Sequence, residues 1–143
     1  MGKKGIVFIF LFSLAALVVI GQEPYQALSA DSGASPERGK YIVERVAMCV
    51  ECHTPRDDNG RIIRTKYLLG APVPVKAPPF PNMKWAIKAP AIAGLPGYTR
   101  EEGIRLLTRG ITASGRVPDP PMPAFRLNST DAAAVVAYLK SLQ

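Results

Sequence analysis

The sequence predicts a small all-α domain in which three helices are joined by proline-rich loops behind an N-terminal leader. Helical spacing of apolar residues, bracketed by start and stop signals, recurs near residues 36–48, 99–110 and 130–142. The stretch from Pro55 to Pro123 holds twelve of the 14 prolines, and a residue without a backbone donor suits neither helix nor sheet interiors. No run alternates apolar and polar residues as a half-buried strand would. At 143 residues and 48% hydrophobic the chain has room for one domain and is too apolar for disorder.

Lys3 and Lys4 precede Ile6 to Ile20, fifteen residues with Ser13 as the only polar side chain, which is the order of an export signal. As a helix this stretch spans about 22 Å, short of a bilayer core of roughly 30 Å, so residues 1–21 read either as a signal peptide or as an N-terminal membrane anchor. The lysine pair favours a cytoplasmic N-terminus with the body outside. Residues 22–35 are small, polar and aperiodic, as in a flexible linker, leaving 36–143 for the folded domain.

Ser35 before Pro36 pairs an N-cap hydroxyl with a residue whose missing N–H costs nothing at the first helical position. The helix is expected to reach about Met48 and to bury Ile42, Val43, Val46 and Ala47. Gly39 lies one turn earlier on that side. A mid-helix glycine costs about 1 kcal/mol relative to alanine, so another element is expected to approach closely there. From Ala71 to Pro81 the chain reads as extended, polyproline-like and laid over a surface. Thr99-Arg100-Glu101-Glu102 is a capping box, Ile104 and Leu107 supply an apolar face, and Gly110 is the stop. The last helix is expected after Ser129, from Thr130 to Leu142, with Ala134, Val135, Tyr138, Leu139 and Leu142 on one face.

Both cysteines and the single histidine fall in Cys49-Val50-Glu51-Cys52-His53. Cys-x-x-Cys-His spaces two thiols to add across the vinyl groups of a haem and sets the adjacent imidazole beneath the iron as proximal ligand. A zinc site needs a second cluster of ligands, which this sequence lacks. A thioredoxin-like pair belongs in a strand–helix unit, and here the motif follows a helix. A base adjacent in sequence seldom aligns with the thiol it would deprotonate, which disfavours a cysteine nucleophile. A plain disulfide, which export permits, is the remaining alternative.

With no second histidine, the other axial donor of such an iron is expected to be a thioether. Met1 lies in the leader and Met48 directly precedes the attachment site. Met83 and Met122 remain. Met122 stands between Pro121 and Pro123, in a stiffened loop 69 residues after His53, and is favoured over Met83, which would have to reach the distal face before the Thr99 helix is laid down.

Gly39-Lys40-Tyr41 leading into Cys-Val-Glu-Cys-His, the pair Met122-Pro123, and the C-terminal run Val135 to Leu142 together resemble a monohaem class I cytochrome c over about residues 35–143. The form Cys52-His53-Thr54-Pro55 and the proline-rich middle resemble bacterial periplasmic or membrane-anchored members. The resemblance implies terminal helices that cross with Gly39 against Tyr138 around a covalently bound haem c, and Met122 as the sixth ligand of its iron. The stretch from Leu68 to Pro90 is longer than in the short members. Pro55, Arg56, Tyr67 and Trp85 are placed near His53 or the propionates, or in packing roles.

Iron held by histidine and methionine has no open position for substrate, so the expected chemistry is one-electron outer-sphere transfer, a carrier's task rather than an enzyme's. Arg56, Arg61, Arg64, Lys66, Lys76, Lys84 and Lys88 face only Asp57 and Asp58 in that stretch, a balance that would steer an acidic redox partner such as a dehydrogenase, an oxidase or another cytochrome. A solvated loop is the plainer reading of the same charges. Without a basic helix or an aromatic platform, nucleic acid is set aside. Two other readings stay open: the electron-accepting cytochrome subunit of a dehydrogenase or oxidase complex, and a five-coordinate haem that binds gas or peroxide if neither Met122 nor Met83 reaches the iron.

Overall fold

The structure, a computed structural model, describes residues 34–142. The expected leader 1–21 and all but the end of the linker 22–35 lie outside the described residues. Helix α1 spans Pro36–Tyr41; the Ser35 hydroxyl accepts from the Arg38 amide at 3.2 Å and Pro36 opens the helix, as the sequence implies. The coil then widens into a π-helical turn over Ile42–Val46, with the Ala47 amide bonded at 2.7 Å to the Ile42 carbonyl five residues back. This wider turn corrects the expected face. Ile42 and Val43 are buried and Ala47 packs against the core as expected, but Val46 is 56% exposed because the five-residue repeat stacks Ala47, not Val46, beneath Ile42. Left-handed backbone at Met48 (φ 51°) ends the coil two residues earlier than expected, and helix α2, Cys49–His53, starts at once.

The capping box is fully formed at the start of α3, Arg100–Arg109: the Glu102 amide donates to Thr99 Oγ1 at 3.1 Å and the Thr99 amide to Glu102 Oε2 at 2.9 Å. Gly110 closes it at φ 70°. Helix α4, Ser129–Ser141, begins one residue before the expected start and ends one residue short of Leu142. Its cap is Asn128, whose side-chain oxygen accepts from the Asp131 amide at 2.8 Å, a bond an asparagine makes as readily as the serine beside it. Two two-residue strands, β1 (Ala71–Pro72) and β2 (Lys88–Ala89), pair antiparallel with Ala71 opposite Ala89.

Helix α4 is the centre of the core. Ala132 to Val136 are buried without a break, together with Tyr138 and Leu139, so the buried face is wider than the expected stripe. Two glycines cause this. A Cβ on Gly39 would overlap the Ala134 carbonyl and lie 2.9 Å from Tyr138 Cβ, and one on Gly103 would lie 2.8 Å from Leu95 Cδ2 and 2.9 Å from Val136 Cγ2. At Gly39, α1 thus meets the α4 backbone itself, whereas at Gly103 α3 meets the side chains of Leu95 and Val136; the expected contact of Gly39 with Tyr138 is present. Arg38 adds a two-pronged bond to Asp131, Nε to Oδ1 at 2.9 Å and Nη2 to Oδ2 at 3.2 Å, across the first turns of α1 and α4.

Replacing Gly39 by Leu should cost about 3 kcal/mol, the upper end of overpacking, because the obstacle is backbone. Tyr138→Ala should cost about 3–5 kcal/mol. In urea unfolding of the holoprotein the double variant should depart from additivity by more than about 0.5 kcal/mol; simple additivity would deny the contact.

The Arg38 guanidinium holds the Asp131 carboxyl below its usual range. A depressed native pKa means that the contribution is complete above the unfolded value, about 3.9, and is lost as pH falls toward the native one. Asp131→Asn should therefore flatten the acid side of the stability curve below about pH 4 and leave its shape at pH 6–8 unchanged.

Candidate haem site

Helix α2 is a single turn, too short to persist alone, and its ends are held from outside. The Gly70 amide donates to the His53 carbonyl at 2.8 Å, and the Leu68 amide donates to Thr54 Oγ1 at 3.0 Å. Thr54 and Leu68 are buried to 1% and 0% exposure, so this bond is sealed from water. The Leu68 carbonyl in turn accepts from the amides of Ile92 and Ala93, and the Gly94 amide reaches the Leu139 carbonyl of α4 at 2.8 Å. A continuous run of backbone bonds thus ties the cysteine–histidine turn to the core helix.

His53 is buried, with Nδ1 2.7 Å from the Pro90 carbonyl. A carbonyl only accepts, so Nδ1 carries the ring proton and Nε2 keeps its lone pair. Burial lowers the pKa of this imidazole, against the opposing pull of the Pro90 carbonyl. A neutral ring oriented through Nδ1 is the arrangement a metal-ligating histidine needs. Gly70 leaves room for it: at φ 87°, a Cβ there would lie 2.9 Å from both the Ala89 carbonyl oxygen and the Ala91 amide nitrogen, the two sides of Pro90.

Cys49 and Cys52 are free thiols, both half-buried, and among the described residues no disulfide joins them. Burial pushes the Cys49 thiol up to about 11, far from the depressed values of reactive cysteines. For a covalently attached haem the donor set fits: two unoxidised thiols one helical turn apart, and beside them an imidazole whose Nδ1 is already committed.

Of the methionines, Met48 is 52% and Met83 43% exposed, while Met122 is half-buried. Met122 lies in the loop whose Pro120 carbonyl accepts from the Ala86 amide at 2.7 Å. Tyr67 takes a packing role: its hydroxyl donates to Glu44 Oε1 at 2.8 Å and lies 3.3 Å from the Tyr138 hydroxyl, between the π turn and α4. Arg56 is engaged by Glu51 and the Gly60 carbonyl, and the Trp85 indole donates to the Val75 carbonyl at 3.3 Å. Sequence reasoning missed Pro90, Gly70 and Thr54. A carbonyl carries no residue signature, so the Pro90 contact had no signal; the Gly70 signal was a glycine closing a bulky apolar run.

A family model described as Cytochrome c matches residues 36–143, and the chain belongs to the cytochrome c family. The helical domain, with α1 crossing α4 beside the cysteine–histidine turn, has the class I fold of that family. The chain is 30% identical over 122 residues to a diheme cytochrome c-type protein of Cereibacter sphaeroides, a match covering 82% of this chain and 38% of that protein. It is 32% identical over 111 residues to the fructose dehydrogenase cytochrome subunit of Gluconobacter japonicus, covering 73% of this chain and 21% of that protein. The chain thus spans well under half the length of either relative. Family membership implies covalent haem c with its iron and a part in electron transfer.

Thr54→Val should destabilise the protein by about 1–3 kcal/mol by leaving the buried Leu68 amide unpaired, whereas Thr54→Ser should recover most of that in urea unfolding. Gly70→Ala should cost about 2 kcal/mol or more, combining left-handed strain with crowding of Pro90, and should perturb the holoprotein's visible spectrum because the same peptide orients His53.

Proposed function

We propose that the chain carries one electron at a time between redox proteins outside the cytoplasm, using a single haem c joined by thioethers to Cys49 and Cys52, with His53 and Met122 as axial ligands. The observation that carries this reading is the His53 ring, buried beside two free thiols with Nδ1 held by Pro90. Bound there, haem supplies a reversible one-electron couple whose potential methionine ligation raises. The residues around it serve that chemistry by staying still: the Thr54–Leu68 and Gly70–His53 bonds hold the proximal turn. A single Cys-x-x-Cys-His and two cysteines in the sequence support one haem. Half-burial of Met122 between two prolines, against the exposure of Met83 and Met48, supports the choice of sixth ligand.

Lys3 and Lys4 before Ile6 to Ile20 support export, by a cleaved signal or a retained anchor. Among the described residues no helix is long and apolar enough to cross a membrane. One relative is named as the cytochrome subunit of a dehydrogenase, and this favours a second reading in which the same carrier is the electron-accepting subunit of such a complex.

Protein made in a host with cytochrome c maturation should keep its colour through acid–acetone extraction, with one iron per chain; colour that washes out together with a Cys49–Cys52 disulfide would overturn the reading. Met122→Ala should abolish the weak red charge-transfer band of methionine-ligated ferric haem and lower the potential, while Met83→Ala changes neither. The reverse pattern would assign Met83. A high-spin wild-type spectrum would point to a five-coordinate, ligand-binding haem.

A further inference from the structure

The stretch from Gly70 to Pro90 is closed at its base by β1 and β2 and by the Val73 amide on the Ile87 carbonyl at 3.0 Å. Between these lies an arm of residues 73–88. The Trp85 indole bonds across it to the Val75 carbonyl, and the Ala86 amide fastens it to the Pro120 carbonyl, two residues from Met122. Most of the arm is exposed. Several of its large apolar side chains face water: Val75 is 50%, Phe80 64% and Ile87 84% exposed, while Val73 and Trp85 are half-buried. Lys76, Lys84 and Lys88 are exposed among them, and no Asp or Glu occurs from Asn59 to Arg100.

We propose that residues 73–88 are the docking arm for an acidic redox protein, an inference that rests on the reading of the chain as an electron carrier. Soluble proteins seldom leave apolar side chains grouped with same-sign charges unless the group meets something. Apolar contact at the middle with charge around it is the composition of a transient interface, and redox encounters use small ones. Prolines 74, 78, 79 and 81 stiffen the arm, so docking orders little backbone that is not ordered already. They also remove donors that an exposed edge would offer to stray strands. A lipid surface fits less well. The apolar groups run along both limbs, Val75 outward and Ile87 on the return, while the turn itself carries Phe80 among Pro79, Pro81 and Asn82. The tie from Ala86 to Pro120 sets an occupant of the arm beside the Met122 loop, where an electron acceptor is useful and a lipid is not.

The test is stopped-flow oxidation of the reduced holoprotein, in which one electron leaves the iron and reduces Cu(II) of an acidic blue-copper protein to Cu(I), with ferricyanide, which becomes ferrocyanide, as the small-molecule oxidant. The triple reversal Lys76→Glu, Lys84→Glu, Lys88→Glu should slow the reaction with the copper protein by about tenfold or more at low salt and flatten its salt dependence. Phe80→Ser with Ile87→Ser, which changes no charge, should slow the copper protein but not ferricyanide. Wild-type rates with the copper protein in both variants overturn the arm and leave the carrier intact. Failure of the wild type to reduce ferricyanide overturns the carrier reading and the arm with it. If the variants lose binding to phosphatidylglycerol vesicles while the copper protein reacts at the wild-type rate, the arm is a lipid contact and the proposal falls.

Discussion

Everything about the site depends on a hydrogen bond between residues 37 positions apart, the Nδ1–H of His53 donating to the Pro90 carbonyl. Without it a five-residue helix would present an imidazole free to spin and to choose either tautomer. With it the ring has one orientation and one available lone pair. The bond places two demands on the rest of the molecule. The Pro90 peptide has to be rigid, and α2 has to stay where Pro90 can reach it. Gly70 meets the first by packing without a side chain against that peptide, and the bonds from Leu68 and Gly70 to α2 meet the second.

The scaffold answers the same demand at larger scale. Helix α4 supplies a wall buried from Ala132 to Val136, and α1 and α3 close on it at Gly39 and Gly103. Small residues at both crossings turn side-chain volume into helix proximity, so a core built from short helices still packs densely. The Glu44–Tyr67–Tyr138 hydroxyl contacts then join the chain that follows α2 to the π turn after α1 and to α4.

What was legible in the sequence was local. Cys49, Cys52 and His53 are adjacent, the Thr99–Glu102 box spans one turn, and Gly39 stands out against a helical pattern whose partner, Tyr138, shows its own. The terminal-helix crossing followed from a resemblance rather than from periodicity. The illegible parts depend on tertiary context. A π turn costs one residue of register and leaves no composition mark, so Val46 read as inner. Asn128 and Ser129 both cap well, and only the path of the incoming chain chooses between them. Gly103 sits inside a helix whose local signals are its caps, and its close contact with Leu95 and Val136 depends on residues outside that helix. The arm's prolines announced irregular chain, but not that it would be pinned at Val73, Trp85 and Ala86 while Ile87 stayed in water.

Because the sequence holds a single histidine, nitrogen-15 NMR of selectively labelled ferrous holoprotein reads the central bond without ambiguity. The account predicts one set of ring signals, with a slowly exchanging proton on Nδ1, none on Nε2, and no titration between pH 5 and pH 8. A ring that titrates like free imidazole, near the usual value of about 6.5, or whose Nδ1 proton exchanges at once, would contradict it.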